Sequence, residues 1–462
     1  MIPRAAPFLL FAAQAFFAPR VAAQEPAAIA ITHVTVIDGT DSLPRRDRTV
    51  IIRGARITVV GRASTTPVPR NARVQDGRGK YLIPGLWDMH VHTDVPRARE
   101  VLPLYIANGV TGVRDMGGDW TRLTAMRALV RSGRLWGPRL VLSGPYLDGN
   151  DQPIAHLSAR SPAEAEAAVD SLAALGVDLV KLHTGLTRET FFAAARAARR
   201  KHLPFAGHVP RVVGAADASD SGMASIEHLL TIPTPCTPAE SLALQPRFTV
   251  QAALGRCSSA DPAPLYARLA RNGTRVTPTF VAQYEVALWP ERRLPGDSFA
   301  RYLPDTLRRY VAAIFPMPDS VPPGADSVGR AVFGKRVALV GAMHKAGVGI
   351  LAGTDAPLRN SPPGFGLHEE LVWLARGGLS PFEVLRAATL DAAGFLGMQD
   401  SLGTVAPGRL ADLVLLDADP LADIRNTRRV RAVVANGRLL DAAARTVLLR
   451  RARARAGATP SP

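Results

Sequence analysis

The chain has 462 residues, a formal net charge of +17 and a hydrophobic content of 47%. That hydrophobic content excludes a disordered or fibrous chain, and the length allows a large buried core. The basic residues are spread along the chain, apart from a dense run at 445–455, and no nucleic-acid-binding motif accompanies them. We therefore interpret the charge as a solvated basic surface and tail, with no nucleic-acid partner.

The first residues are typical of a secretory signal. Arg4 precedes a largely apolar run at 5–18, and the small residues of Val21-Ala22-Ala23 stand before Gln24. The apolar run is shorter than the roughly 20 residues that span a membrane. We predict a signal peptide over residues 1–23, a secreted or periplasmic protein, and no stable membrane insertion after its removal. An N-terminal anchor that stays attached is the alternative.

The two cysteines, Cys236 and Cys257, do not form a C-x-x-C pair, which disfavours a structural zinc site. In an oxidising compartment they could form one disulfide across a loop. Two separate buried thiols are the alternative, and the sequence does not decide between them.

Both ends of the chain are β-rich, and the middle is not. Residues 29–37, 49–60, 413–416 and 430–434 are rich in Ile, Val, Leu and Thr and are separated by Gly or Pro. We predict a signal peptide, an N-terminal β part at 24–83, a central domain at 84–398, a C-terminal β part at 399–445 and a basic tail at 446–462.

In the central domain, short apolar runs alternate with amphipathic segments. The strands are predicted at 86–92, 111–116, 140–143, 179–183, 205–209, 225–229, 276–281 and 349–355. Eight strand–helix units predict an α/β fold with parallel strands in a closed (β/α)₈ TIM barrel, and an open doubly wound sheet is the alternative. Residues 231–261 and 292–330 are predicted to form a long loop and an insertion.

Histidines and an aspartate fall where the predicted strands end. His90 and His92 alternate along the first strand, so both imidazoles face the lumen of the barrel. His208, His228 and Asp355 end the fifth, sixth and eighth strands. The carboxyl ends of barrel strands meet in one shared site, and clustered imidazoles suit a metal such as zinc.

Lys181 lies inside an apolar strand in a chain that has only five lysines. A buried ammonium group beside metal cations would be repelled strongly. Carboxylation by carbon dioxide would turn it into an anionic carbamate that bridges two metals. A neutral or ion-paired lysine beside a single metal is the alternative.

Six motifs in order make the chain resemble the amidohydrolase superfamily, within its imidazolonepropionase-like and prolidase-like (Xaa-Pro dipeptidase-like) branch. They are IPGLWDMHVH at 83–92, LVKLHTG at 179–185, AGHVP at 206–210, SIEHL at 225–229, AGTDAP at 352–357 and GTVAPGRLADLVLL at 403–416. The resemblance implies that the two β ends join into one small β-sandwich on the barrel. It also implies two divalent metals: His90, His92 and Asp355 hold one, His208 and His228 hold the other, and carboxylated Lys181 bridges them.

The resemblance further implies hydrolysis of a C–N bond, with Asp355 as the proton shuttle and Lys181 as a catalytic residue. The sequence departs from the branch at His183, where relatives often carry Tyr, and we expect His183 to contact the substrate. His156 and His368 are further candidates for substrate binding. The expected partner is a small molecule, and a homo-oligomer is compatible with the sequence. A lactonase or esterase and a non-catalytic metal-binding scaffold remain the alternatives.

Overall fold

The computed structural model describes residues 27–235, 257–258, 261–287, 299–315, 325–358 and 362–456. The signal peptide predicted at 1–23 lies outside the described residues, as do Cys236 and most of the loop predicted at 231–261. Export and the disulfide between Cys236 and Cys257 therefore stay predictions.

The described residues form strands and helices that are numbered here in chain order. The strands are β1 Ile29–Val36, β2 Arg45–Arg53, β3 Arg56–Arg62, β4 Arg73–Asp76, β5 Tyr81–Pro84, β6 Leu86–Val91, β7 Val110–Asp115, β8 Arg139–Leu142, β9 Tyr146–Asp148, β10 His156–Ser158, β11 Val180–Leu182, β12 Phe205–Gly207, β13 Ser225–Glu227, β14 Thr234–Pro235, β15 Cys257–Ser258, β16 Arg275–Thr277, β17 Leu413–Leu416, β18 Val430–Ala435 and β19 Arg438–Leu440. The helices are α1 Ala98–Ala107, α2 Trp120–Arg131, α3 Pro162–Leu175, α4 Arg188–Arg200, α5 Ala215–Asp220, α6 Ala263–Arg271, α7 Phe280–Ala287, α8 Asp305–Ile314, α9 Ala325–Lys345, α10 Phe365–Arg376, α11 Pro381–Ala387, α12 Leu390–Phe395 and α13 Ala442–Ala456. Short 3₁₀ turns lie at Ala300–Tyr302 and Ile424–Arg428.

Both ends of the chain join in one eight-stranded sheet. Its order is β19-β18-β17-β5-β1-β2-β3, with β4 beside β1. The ends meet where β17 runs antiparallel to β5, with Leu413 opposite Pro84. Buried apolar side chains from both ends, such as Val34, Ile52 and Leu439, form a common core on this sheet. The two β segments are therefore one structural unit, as the resemblance implies.

The central region is built from parallel strands that alternate with helices. One sheet has the order β6-β7-β8, and the other has the order β10-β9-β11-β12-β13-β16. Strands β6 and β7 are buried at every residue, which is typical of parallel strands covered on both faces. Because the carboxyl ends of parallel strands lie at one edge, residues that follow different strands come together there.

Two connections join the two parallel sheets. Leu142 O, at the end of β8, accepts a hydrogen bond from Asp178 N at 2.9 Å, just before β11. The second connection runs through the predicted eighth strand and the residue after it: Ile350 makes an isolated parallel bridge to Val276 in β16, and Ala356, just beyond the predicted strand, makes one to Val91 in β6. This segment is not assigned as a strand, so closure of an eight-stranded barrel stays a prediction.

Two segments differ from the predicted elements. The strand predicted at 276–281 ends at Thr277, and Val281 already belongs to α7, because Pro278 and the positive φ of Thr279 (52°) turn the chain. The run predicted as a basic tail from 446 begins within α13, and this helix packs against α1. None of the helices in the described residues is long and apolar enough to cross a membrane.

Candidate metal-dependent active site

Three predicted ligands converge at the end of β6. His92 Nε2 lies 3.2 Å from Asp355 Oδ1, and His90 Nε2 lies 3.5 Å from the same oxygen. One ligand atom from each residue lies within 4.8 Å of the others. Asp355 has a φ of 65°, so a sharp turn directs its carboxylate back toward the two imidazoles.

The chemistry of these groups fits a divalent metal ion. His90 is fully buried, and its Nε2 has no hydrogen-bond partner in the described part of the chain. A buried polar atom without a partner is costly, whereas a bound metal would satisfy it. Two imidazoles and one carboxylate are a common ligand set for zinc and similar ions.

Glu227 and Arg114 fix the orientation of His90 through its Nδ1 atom, and neither residue was predicted from the sequence. His90 Nδ1 donates to Glu227 Oε2 at 2.7 Å, and Arg114 Nη2 donates to Glu227 Oε1 at 2.8 Å. Burial alone would raise the pKa of Glu227, but Arg114 and His90 outweigh burial and hold that pKa well below its usual range. Glu227 is therefore ionised, which orients His90 so that Nε2 faces the site. A charged residue inside each apolar strand was the only signal in the sequence.

His208 and His228 line the other half of the site. The ring centroids of His208 and His228 are 4.7 Å apart, and those of His90 and His228 are 4.5 Å apart. The Nδ1 atoms are engaged, by Thr184 Oγ1 at 2.8 Å in His208 and by Thr279 Oγ1 at 2.6 Å in His228. Within the described part of the chain neither ring makes a hydrogen bond through Nε2, which leaves that atom available for a ligand role.

Burial lowers the pKa of both His208 and His228. The pKa of His228 falls to about 4, and that of His208 falls well below its usual range. Lys181 contributes to both shifts because its charge repels a protonated ring. Neutral imidazole is the form that binds a metal.

Lys181 lies in β11 between these groups and is 1% exposed. Burial lowers the pKa of its ammonium group to about 8, against the opposing effect of the Glu227 and Asp355 carboxylates. Gly207 makes room for the lysine side chain, because a Cβ at Gly207 would lie 2.7 Å from Lys181 Cδ. Lys181 is thus a buried amine beside histidines and carboxylates.

Two further buried aspartates support the ligands and were also missed. Asp88 accepts hydrogen bonds from Thr354 N at 2.9 Å and Thr354 Oγ1 at 2.7 Å, which fixes the turn that carries Asp355. Asp115 accepts hydrogen bonds at 2.6 Å from both the backbone N and Oγ1 of Thr93, the residue after His92. Both carboxylates brace the backbone beside predicted ligands.

His183 lies at the rim of the site, with its side chain 23% exposed. Its ring centroid is 4.3 Å from that of His208 and 4.7 Å from that of Tyr146. His183 Nδ1 donates to the fully buried carboxylate of Asp148, because a carboxylate can only accept. A neutral His183 therefore presents a lone pair at Nε2, and only a protonated ring can donate there.

The other two substrate-binding candidates lie further out. His156 is half-buried in β10, donates Nδ1 to Ile154 O at 3.1 Å, and has its ring 6.1 Å from that of Tyr146. His368 does not lie in a loop at the site as we expected. It is 3% exposed in α10, and its ring nitrogens contact Thr427 Oγ1 at 3.0 Å and Asn108 O at 3.1 Å. Both nitrogens are occupied because this helix packs against the turn at Ile424–Arg428, so His368 is a structural residue.

Imidazoles and carboxylates that meet beyond the ends of parallel strands define a metal-binding site of the hydrolase type. The chain belongs to the amidohydrolase family, whose sequence profile matches residues 81–440.

Solved structures of amidohydrolases are similar over nearly the whole chain. A bottromycin amidohydrolase is 25% identical, with a TM-score of 0.73 and coverage of 94% of this chain and 92% of that one. A Xaa-Pro dipeptidase with bound methionine in its active site is 22% identical, with a TM-score of 0.66 and coverage of 90% and 100%. A putative prolidase from Bifidobacterium longum is 23% identical, with a TM-score of 0.65 and coverage of 93% and 99%. No curated protein matches the sequence. The chain is therefore a member of the amidohydrolase family of hydrolases, and its fold resembles those of solved prolidase-like structures.

Proposed function

We propose that the protein is an exported amidohydrolase that uses two divalent metals, zinc in our assignment, to cleave the amide bond of dipeptides or N-acyl amino acids on a closed (β/α)₈ barrel. The observation that carries the proposal is the convergence of His90, His92 and Asp355 around a buried, unpartnered imidazole nitrogen. His208 and His228 would hold the second ion through Nε2, since their Nδ1 atoms are engaged by threonine hydroxyls.

Lys181 would complete the site as a carbamate. Its neutral amine would attack carbon dioxide, forming an N–C bond and releasing one proton, and the product carries two oxygens and a negative charge. That anion would replace a buried cation that the surrounding histidines disfavour. The electrostatic effect of the Glu227 and Asp355 carboxylates on Lys181 supports a position of its head group within the site.

The bound cations would supply an activated water and polarise the scissile carbonyl. Asp355 is ionised, because its neighbouring histidines hold its pKa well below the usual range in spite of burial. It would accept a proton from the attacking water and transfer it to the leaving nitrogen. The C–N bond breaks, the acyl carbon keeps the water oxygen as a carboxylate, and the amine leaves protonated.

His183 is our candidate contact for the carboxylate of the substrate. It lies at the rim beside His208, where a group next to the scissile bond would project. Because Asp148 occupies Nδ1, His183 would pair with a carboxylate as a cation, whereas in its neutral form it would accept a hydrogen bond from a substrate N–H or O–H. His156 lies one ring further out and would contact only a longer substrate.

The metal stoichiometry tests the site directly. We expect elemental analysis of protein purified without chelator to give about two divalent ions per chain. Mass spectrometry under non-denaturing conditions should show carbon dioxide added at Lys181. Lys181→Ala should lose the second ion and most activity, and short carboxylic acids should restore part of it. A single tightly held ion with unmodified Lys181 would contradict the bridged pair.

Substrate screening tests the reaction. The metal-loaded protein should hydrolyse members of a dipeptide and N-acyl amino acid library, and Asp355→Asn should abolish turnover while retaining bound metal. Turnover of lactones or esters without any amide would reassign the protein as a lactonase or esterase. Metal binding without turnover of any of these libraries would indicate a scaffold protein.

A further inference from the structure

We propose that the cleft between α1, α13 and the α2–β8 loop binds a single-chain anionic amphiphile, meaning an alkyl chain that carries a phosphate or carboxylate head group. The cleft has a volume of about 450 Å³. That volume falls within the range of small-molecule sites. It shares no residue with the metal site, so this proposal is independent of the proposed function.

The lining of the cleft is positively charged, which favours an anionic ligand. Four arginines line it: Arg99 from α1, Arg134 from the α2–β8 loop, and Arg451 and Arg455 from α13. The one acidic residue in the lining, Glu100, is already engaged by Arg97, whose Nε donates to Glu100 Oε1 at 2.9 Å. Over the part of the chain that the structure describes, the four cleft arginines have no ion-pair partner. Guanidinium groups bind phosphate and carboxylate through paired hydrogen bonds, so an anion would relieve their mutual repulsion.

The lining also contains apolar side chains, which favour a ligand with a hydrocarbon chain. Pro103, Leu135, Val447 and Leu448 belong to the lining, and the α13 members recur at helical spacing with Ala444 and Arg451. Val447 is 37% exposed although it faces this cleft. Apolar surface left in contact with water gains roughly 25 cal/mol for each Å² that a ligand covers.

The walls of the cleft are already held in place. Arg438 stacks on Trp136 with its guanidinium carbon 3.9 Å from the ring centroid, and its Nη1 donates to Gly133 O at 2.9 Å. Helix α13 is tied to the end of α1 by Arg445 Nε, which donates to Ala107 O. A preformed cleft loses little conformational freedom when it binds a ligand. Arg438 covers one face of Trp136, so that face is not available to stack a nucleic-acid base.

Calorimetric titration of the full-length protein with decyl phosphate, below its micellar concentration, tests the proposal. We expect saturable binding of one molecule per chain, weakened by added salt. Decyltrimethylammonium, which has the same chain and a positive head, and inorganic phosphate, which lacks the chain, should each bind at least tenfold more weakly. Equal affinity for either of them would overturn the proposal, and so would binding only to phosphatidylglycerol vesicles, which would indicate a membrane surface instead.

Matched variants locate the binding. Arg134→Gln with Arg451→Gln should weaken decyl phosphate binding at least tenfold. The control Arg450→Gln with Arg453→Gln makes the same charge change, and neither of its residues lines the cleft, so it should retain the affinity within about twofold. Equal loss in both variants would show that general charge is responsible and would contradict a cleft site. Unchanged circular dichroism would show that both variants are folded.

Discussion

At the scale of single residues, the site depends on side chains that do not face the substrate. Glu227 is the clearest case, because one carboxylate satisfies both the His90 imidazole and the Arg114 guanidinium. Arg114 is fully buried and also donates to Met89 O at 2.6 Å and to Ser225 Oγ at 2.8 Å. Breaking a buried ion pair leaves the remaining charge without compensation, which costs far more than breaking a pair at the surface.

We predict that Glu227→Gln destabilises the metal-free protein by about 3–5 kcal/mol, because Arg114 loses its counter-charge. Metal affinity should fall by roughly 10- to 100-fold, because His90 loses its orienting acceptor. Chemical denaturation without metal and a separate metal titration measure the two effects. The control is Glu166→Gln, which alters an exposed pair with Arg200 and should cost below about 1 kcal/mol. Equal effects of the two substitutions would contradict the buried-pair argument.

The hydrogen bond between His183 and Asp148 yields a second prediction at this scale. His183→Ala should raise KM for substrates with a carboxylate far more than for their amidated analogues. Asp148→Asn should give a smaller effect of the same kind, because the amide group of Asn can donate to Nδ1 and leave a proton on Nε2. Steady-state kinetics on matched substrate pairs measure both. A larger loss on the amidated analogues would instead assign His183 as a hydrogen-bond acceptor for the substrate.

How much of the site the sequence can predict differs from residue to residue. The ligands stood out because histidines and a lysine are unusual in apolar strands, and the structure brings His90, His92 and Asp355 together. Glu227 was hidden by its neighbour His228, since adjacent strand residues point to opposite faces and only one was expected to matter. His368 misled because distance from a strand end along the sequence does not reveal the face of a helix.

At the scale of secondary-structure elements, α7 is held at its start by a residue from another helix. Glu370, in α10, is fully buried, and its Oε2 accepts a hydrogen bond from Val281 N at 2.9 Å in the first turn of α7. Its Oε1 has no hydrogen-bond partner in the described residues. Thr279, just before α7, contacts His228. The hydrogen bond between Val281 N and Glu370 therefore also stabilises the half of the site that contains His208 and His228.

The buried carboxyl group of Glu370 should make the free energy of unfolding depend on pH. Burial raises the pKa of Glu370 to about 8. Between pH ~4.5 and ~8 its carboxyl group is therefore protonated in the folded state and ionised in the unfolded state. A raised pKa contributes stability that is present at low pH and is lost as pH rises through this window, with a slope of about 1.4 kcal/mol per pH unit. Glu370→Gln should remove that slope. The difference between the two denaturation curves across pH measures it, and parallel curves would contradict the buried, protonated carboxyl group.

Element boundaries were predictable where the pattern was local. The local sequence Ser161-x-x-Glu164 is typical of a helix start, and Ser161 does cap α3, with its Oγ accepting a hydrogen bond from Glu164 N at 3.2 Å. The Glu164 carboxylate, however, accepts a hydrogen bond from Arg160 N rather than from Ser161 N. The segment at 349–355 was expected to be a full strand, but Ile350 alone makes a bridge within it, and the sharp turn at Asp355 separates this bridge from the next one at Ala356. Such turns depend on tertiary contacts, here those of Asp88 with Thr354, which no local sequence pattern reveals.

At the scale of the whole molecule, the proposed ligands come from segments of both parallel sheets and from the segment between them. Metal that binds only the folded state should therefore stabilise all of these segments together. We predict that added zinc raises the thermal midpoint, with about 2.7 kcal/mol of stabilisation at a free concentration 100 times Kd. Differential scanning calorimetry with and without chelator measures this. A midpoint that stays the same after verified metal removal would indicate a site that is independent of global folding.

The sheet that joins the two ends of the chain also sets the order of events during synthesis. A ribosome completes β5 long before it makes β17, so the pairing of Pro84 with Leu413 must wait for almost the entire chain. Contacts this distant in sequence form slowly, and an unpaired strand edge favours association with other chains in the meantime. A polypeptide that stops before Leu413 never covers that edge. Incomplete chains should therefore expose the unpaired edge of β5. Chaperones and quality-control proteases recognise exposed strands of this kind, so we expect them to bind or degrade incomplete chains and to leave full-length chains intact.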